Sequence, residues 1–149
     1  MMRSHRFDPL IRRAEERESQ QAGKLAESSA ALGDQEQRLS DLRRYADEYG
    51  GVAPGAALTP ALLANRNAFR ERIADALVQQ QKAVDSSRRR CDVERARLML
   101  ASRETRTMEQ LASSYRTAEA RVQARRSQTE LDDLAARAFV MRQQGGDGE

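Results

Sequence analysis

At 149 residues, with 33% charged and 4% aromatic side chains and no Trp, the chain is too polar to build a large globular core. Its 26 basic side chains are nearly matched by 23 acidic ones, leaving a net charge of +3. Such mixing belongs to solvated helix faces laced with i,i+4 pairs and argues against a polyanion-binding patch.

Residues 1 to 7 read as a short basic lead, and MMRSHRFDPLIRR lacks the apolar core of a secretory signal. Asp8 is an N-cap candidate with Pro9 behind it, so a first helix is expected over 8–49. Its heptad phase runs through Ile11, Ala14, Leu25, Leu32, Leu39, Leu42, Ala46 and Tyr49. The phase is weak at Glu18, Gln21, Ser28 and Gln35, and Gly23 and Gly33 each cost about 1 kcal/mol against Ala. Gly50 and Gly51 supply the left-handed residue that ends helices, opening a loop over 50–58.

Thr59 caps a second helix, expected over 59–143, with Pro60 at its first position. Its seam passes through Ile73, Leu77, Val84, Cys91, Leu98, Ala101, Met108, Ala112, Tyr115 and Val122, and more weakly through Ala136 and Val140. Cys91 falls on this seam and reads as a small buried hydrophobe. The glycine-rich tail, 144–149, is expected to be disordered.

Two heptad-bearing helices joined by a short connection form an antiparallel hairpin. Charge supports the pairing: residues 8–49 carry 7 basic and 10 acidic side chains, residues 60–103 carry 10 and 5. Folding about residue 55 puts Phe7 near residue 103, so the second helix should extend beyond the first from about Glu104 to Arg142. That overhang carries Met108, Leu111, Tyr115, Val122, Leu131, Leu134 and Phe139, a stripe suited to binding another molecule. The expected fold is all-α, a long two-helix antiparallel coiled coil forming a single domain, its register left open by Gln, Ser and Thr on the seam.

Motifs for chemistry are missing. His5 is the lone histidine, no Cys/His set has metal-ligand spacing, and there is neither a GxSxG nor a phosphate-binding glycine loop. Adjacent Asp132 and Asp133 point about 100° apart on a helix and cannot act as an acid/base pair. No enzyme, cofactor or metal is expected, and no apolar run reaches the eighteen residues of a membrane span. Arg88-Arg89-Arg90 reads as a solvated turn facing the acidic first helix; as a nucleic-acid contact, the alternative, it has no flanking aromatics with which to read bases. Tyr45 and Tyr49, one turn apart with Phe69 expected across the hairpin, are either core packing under the loop or an exposed aromatic anchor.

The Phe before the first helix, the Leu39-x-x-Leu42-x-x-Tyr45-x-x-x-Tyr49 end of that helix, the glycine-rich break and RRSQTELDDLAARAF (125–139) together resemble the flagellar export protein FliJ family. The C-terminal run departs from the family tendency RRxQKxLDExA at Thr129 and Asp133. The resemblance implies a cytoplasmic stalk of the type III export apparatus, at the inner membrane of the flagellar base. It implies insertion into the hexameric export ATPase, contact with the membrane export gate and escort of empty chaperones, in the service of motility. Carried over by motif, Arg125, Arg126, Gln128, Leu131, Asp132 and Asp133 would meet the ATPase. Leu42, Tyr45, Tyr49, Phe69, Ile73 and Ala76 would meet the gate. An injectisome stalk protein and a generic homodimeric coiled-coil scaffold are the alternatives.

Overall fold

The computed structural model describes residues 3–49 and 59–146. A 3-10 turn, η1 (Arg3–Phe7), leads into α1 (Asp8–Tyr49), and α2 runs from Pro60 to Gly146. The two helices pack against each other, there are no strands among the described residues, and α2 is by far the longer. Thr59 caps α2 as its hydroxyl predicts: the Leu62 amide donates to Thr59 Oγ1 at 3.2 Å and the Leu63 amide to Thr59 O at 2.9 Å. The expected loop over 50–58, with Gly50 and Gly51, lies outside the described residues, as do 147–149 of the expected disordered tail. The first part of that tail continues the helix to Gly146.

The chain divides into two compact units, one of residues 1–16 with 103–149 and one of residues 17–102. In the second unit the buried and half-buried positions repeat at alternating steps of three and four. On α1 they are Glu18, Gln21, Leu25, Ser28, Leu32, Gln35, Leu39, Leu42 and Ala46. On α2 they include Ile73, Leu77, Gln80, Val84, Ser87, Cys91, Glu94 and Leu98. Val84 and Cys91 are almost wholly enclosed, which bears out Cys91 as a packing residue.

The polar seam positions answer one another. Gln80 Nε2 donates to Gln35 Oε1 at 2.7 Å and to its carbonyl at 3.0 Å, and Ser102 Oγ donates to Glu18 Oε1 at 2.8 Å. Gln21 Nε2 donates to Glu94 Oε2. Residues that seemed to leave the register open therefore define it, since a polar group off its partner in a coil costs stability. Arg88 reaches Glu36 across the hairpin at 3.4 Å, while Arg89 and Arg90 are exposed.

In the first unit the same phase starts earlier than expected. Ser4 and Phe7 precede Ile11 and Ala14 at the same three-four steps, so the basic lead is the first turn of the seam. Ser4 is buried, and the Phe7 ring lies 5.2 Å from that of Tyr115, not near residue 103. In the other unit Tyr49 meets Phe69, so the first turns of α2 run past the end of α1. The fold-back point thus sits later in the chain than residue 55. As a result, Thr105, Met108, Ala112 and Tyr115 pack beneath η1 and α1, and α2 becomes uncovered after Glu119 instead of from Glu104.

Candidate functional site: two exposed faces

The first face lies where α1 ends. An i,i+4 spacing stacks Tyr45 on Tyr49 with ring centroids 4.4 Å apart, and Phe69 stands edge-on to both at 6.1 Å. Three rings in mutual contact form a rigid apolar body, with each pair adding roughly 0.5–1.5 kcal/mol to its area term. Yet Tyr45, Tyr49 and Phe69 are 42%, 52% and 37% exposed. Leu62 and Leu63, near the start of α2, are exposed as well. Leu42, Ile73 and Ala76 are half-buried just inside, and Tyr49 and Ile73 line one shallow groove with Ala46, Arg70, Ala74 and Leu77. The geometry thus combines both sequence readings: the rings pack on one another and present an open aromatic surface.

The second face is the uncovered stretch of α2. It begins at a clamp that sequence reasoning missed. The Ser4 amide donates to Glu119 Oε1 at 3.0 Å and the Ser4 hydroxyl donates to Oε2 at 2.7 Å. The Ser4 hydroxyl, opposed by partial burial and aided by the Ser4 and Arg3 amides and His5, holds the Glu119 carboxyl below the usual carboxylate range. His5 also sits 3.3 Å from Asp8, the residue that opens α1. The signal for this clamp was the three-four phase carried back from Ile11 through Phe7 to Ser4.

Beyond the clamp every residue to Gly146 is exposed. Arg116, Arg121, Arg125 and Arg126 have only Glu119 among them, then Glu130, Asp132 and Asp133 form an acidic belt. Arg126 borders a groove with Arg3, Tyr115 and Val122. Gln128 donates to Asp132 at 3.0 Å and the Thr129 hydroxyl to the Arg125 carbonyl at 2.9 Å, so both are spent along the helix. The six residues carried over for ATPase contact do not share one face. Arg126 and Asp133 continue the seam phase, Arg125 and Asp132 lie beside it, Gln128 lies to the other side, and Leu131 points away from it. Together they encircle the helix. Residues 134–141, LAARAFVM, are apolar on nearly all sides, with Arg137 the single charge. Leu134, Phe139, Val140 and Met141 are each more than half exposed.

Among the described residues no group of three or more His, Cys, Asp or Glu could hold a metal, and no helix is long and apolar enough to cross a membrane. The described residues define an all-α coiled-coil protein with two exposed faces. The family model for the flagellar FliJ protein matches residues 2–144, and the chain belongs to that family. It is therefore a component of flagellar type III protein export. Comparison with curated proteins and with solved structures gives no match.

Proposed function

We propose that the chain is a non-enzymatic stalk that inserts the uncovered end of α2 into the hexameric export ATPase, promoting its assembly and hydrolysis. The observation that carries this reading is a helix end that is apolar on nearly all sides and fully exposed. A helix of that kind is stable in water only when enclosed on every side, which calls for a bore and not a flat surface. The encircling placement of Arg125, Arg126, Gln128, Leu131, Asp132 and Asp133 fits the same enclosure, with basic and acidic belts to set depth.

The aromatic face, Tyr45, Tyr49 and Phe69 with Leu42, Ile73 and Ala76, is assigned to the membrane export gate. Large, rigid aromatic side chains are the residues that dominate interfaces. On this reading the protein works in the cytoplasm, is held at the inner membrane by its partners, and escorts empty export chaperones. The flagellar family membership favours this system over an injectisome.

The test is ATP hydrolysis by the cognate flagellar export ATPase with and without the chain. Leu131→Asp combined with Arg125→Glu should abolish stimulation while leaving helicity unchanged. A wild-type chain that neither binds nor stimulates the ATPase would overturn the reading.

A further inference from the structure

Where α1 stops covering α2, a second apolar stripe appears on the side opposite the seam. Within the first unit the covered seam runs through Thr105, Met108 and Ala112, and past Tyr115 against the Phe7 ring, to the clamp at Glu119. In the same phase beyond the clamp Val122, Ala136 and Val140 are interrupted by Arg126, Thr129 and Asp133, and no second α1-like strand could bury Arg126 and Asp133 without stranding charge. The positions diametrically opposite the seam behave in the reverse way. While the seam is covered they are polar: Arg103, Arg106, Gln110, Ser113 and Thr117. From residue 120 they become Ala120, Ala124, Leu131, Leu134, Ala138 and Met141, with Ser127 the one polar member. These too follow alternating steps of four and three, so they form a second heptad seam on the outer face. Leu131, Leu134 and Met141 are 61%, 60% and 74% exposed.

We propose that this outer seam is a homotypic contact through which two copies of the chain pair antiparallel, centred between Asp132 and Asp133. That register sets Leu131 of one copy against Leu134 of the other, twice, and Ala124 against Met141. The aspartates themselves point away from the contact. The flanking charges select the arrangement, because antiparallel pairing places Glu130 beside Arg137 of the second copy on both sides of the centre. Sliding by one heptad in either direction puts Glu130 against its own counterpart, or Arg137 against its own. Parallel in-register pairing sets Arg137 against Arg142 with no acidic residue to answer. Arg121 and Arg142 oppose each other at the outer ends of the favoured register, and most other layers hold alanine or serine. The contact therefore falls short of the roughly 800 Å² per partner of standard interfaces, and the dimer is reversible. Because Leu131 lies at its centre, pairing and engagement of the ATPase exclude each other.

Sedimentation equilibrium of the full chain, from low to several hundred micromolar, tests the pairing. The average mass should rise from 16.8 kDa towards twice that value. Glu130→Arg and Arg137→Glu should each weaken association at least tenfold. Each places like charges opposite one another twice. The two together should restore it to within about threefold, and Thr129→Lys, on the opposite face, should leave it unchanged. A mass that stays monomeric throughout, a double variant no better than the singles, or disruption by Thr129→Lys would each overturn the proposal. Circular dichroism confirms that the variants fold, and ATPase stimulation by the wild-type chain, assayed at concentrations where it is monomeric, tests the stalk reading separately.

Discussion

Replacing Gly23 and Gly33 by Ala should make the protein more stable, and the size of the gain can be worked out site by site. Both glycines lie in the body of α1, on positions turned away from the seam, and both are exposed. A Cβ added at either would meet nothing within 4 Å. Neither substitution therefore incurs a packing cost, and what remains is backbone entropy, since glycine loses more freedom than alanine on entering a helix. That difference is about 1 kcal/mol per site. The sites are some 15 Å apart along the helix at 1.5 Å per residue, so their effects should add to about 2 kcal/mol. For a chain of this size that corresponds to a rise in Tm of roughly 4–8 °C. Urea unfolding followed by circular dichroism measures it, with the midpoint rising for each single variant, again for the double, and the slope unchanged. If either single variant lost stability at constant slope, α1 would not be a bare helix on its outer face at that point, and the reasoning would fail.

Three further outcomes follow from the packing. Glu119 has a folded-state carboxyl pKa lowered chiefly by the Ser4 hydroxyl, so the docking of η1 holds above the carboxyl's unfolded pKa and is lost as pH falls through the folded value. The Ser4 amide resonance should report that transition, and Glu119→Gln should abolish it. Gln80→Leu alone should cost about 1 kcal/mol by leaving Gln35 unanswered, whereas Gln80→Leu with Gln35→Leu should recover most of the loss in the same urea experiment. The Cys91 thiol, 2% exposed, should react with Ellman's reagent only as fast as the hairpin opens, and at once in denaturant.

The seam was legible because burial in a coil follows period alone: Ile73, Leu77, Val84, Cys91 and Leu98 announce it, and the structure buries or half-buries each of them. The cap at Thr59 and the proximity of Phe69 to the tyrosines were legible for similarly local reasons. The fold-back point was not. It depends on how the connection between helices is built, and counting inward from a guessed midpoint misplaced Phe7 by several turns of α2. The clamp was hidden because Ser4 and Glu119 are polar and distant in sequence, and hydropathy gives no weight to a carboxylate whose worth lies in two specific donors. Likewise the faces of the uncovered helix could be sorted only once the covered positions fixed the phase. Leu131 and Val122, which share one apolar stripe in the sequence reading, lie on nearly opposite sides of the helix.

The matched polar pairs of residues 17–102 have a mechanical consequence. In a coil whose seam is leucine throughout, one strand can creep along the other by a heptad and find equivalent neighbours. Here such a step would move Gln35 from Gln80 to either Ile73 or Ser87, and Glu18 from Ser102 to the neighbourhood of either Arg95 or Glu109. Several hydrogen bonds would break together, with no intermediate position to share the cost. The hairpin therefore behaves as a ratchet with its pawl engaged. An axial push on one strand is carried by the other instead of being dissipated as slip, so a load applied at the aromatic end is transmitted along this stretch of coil.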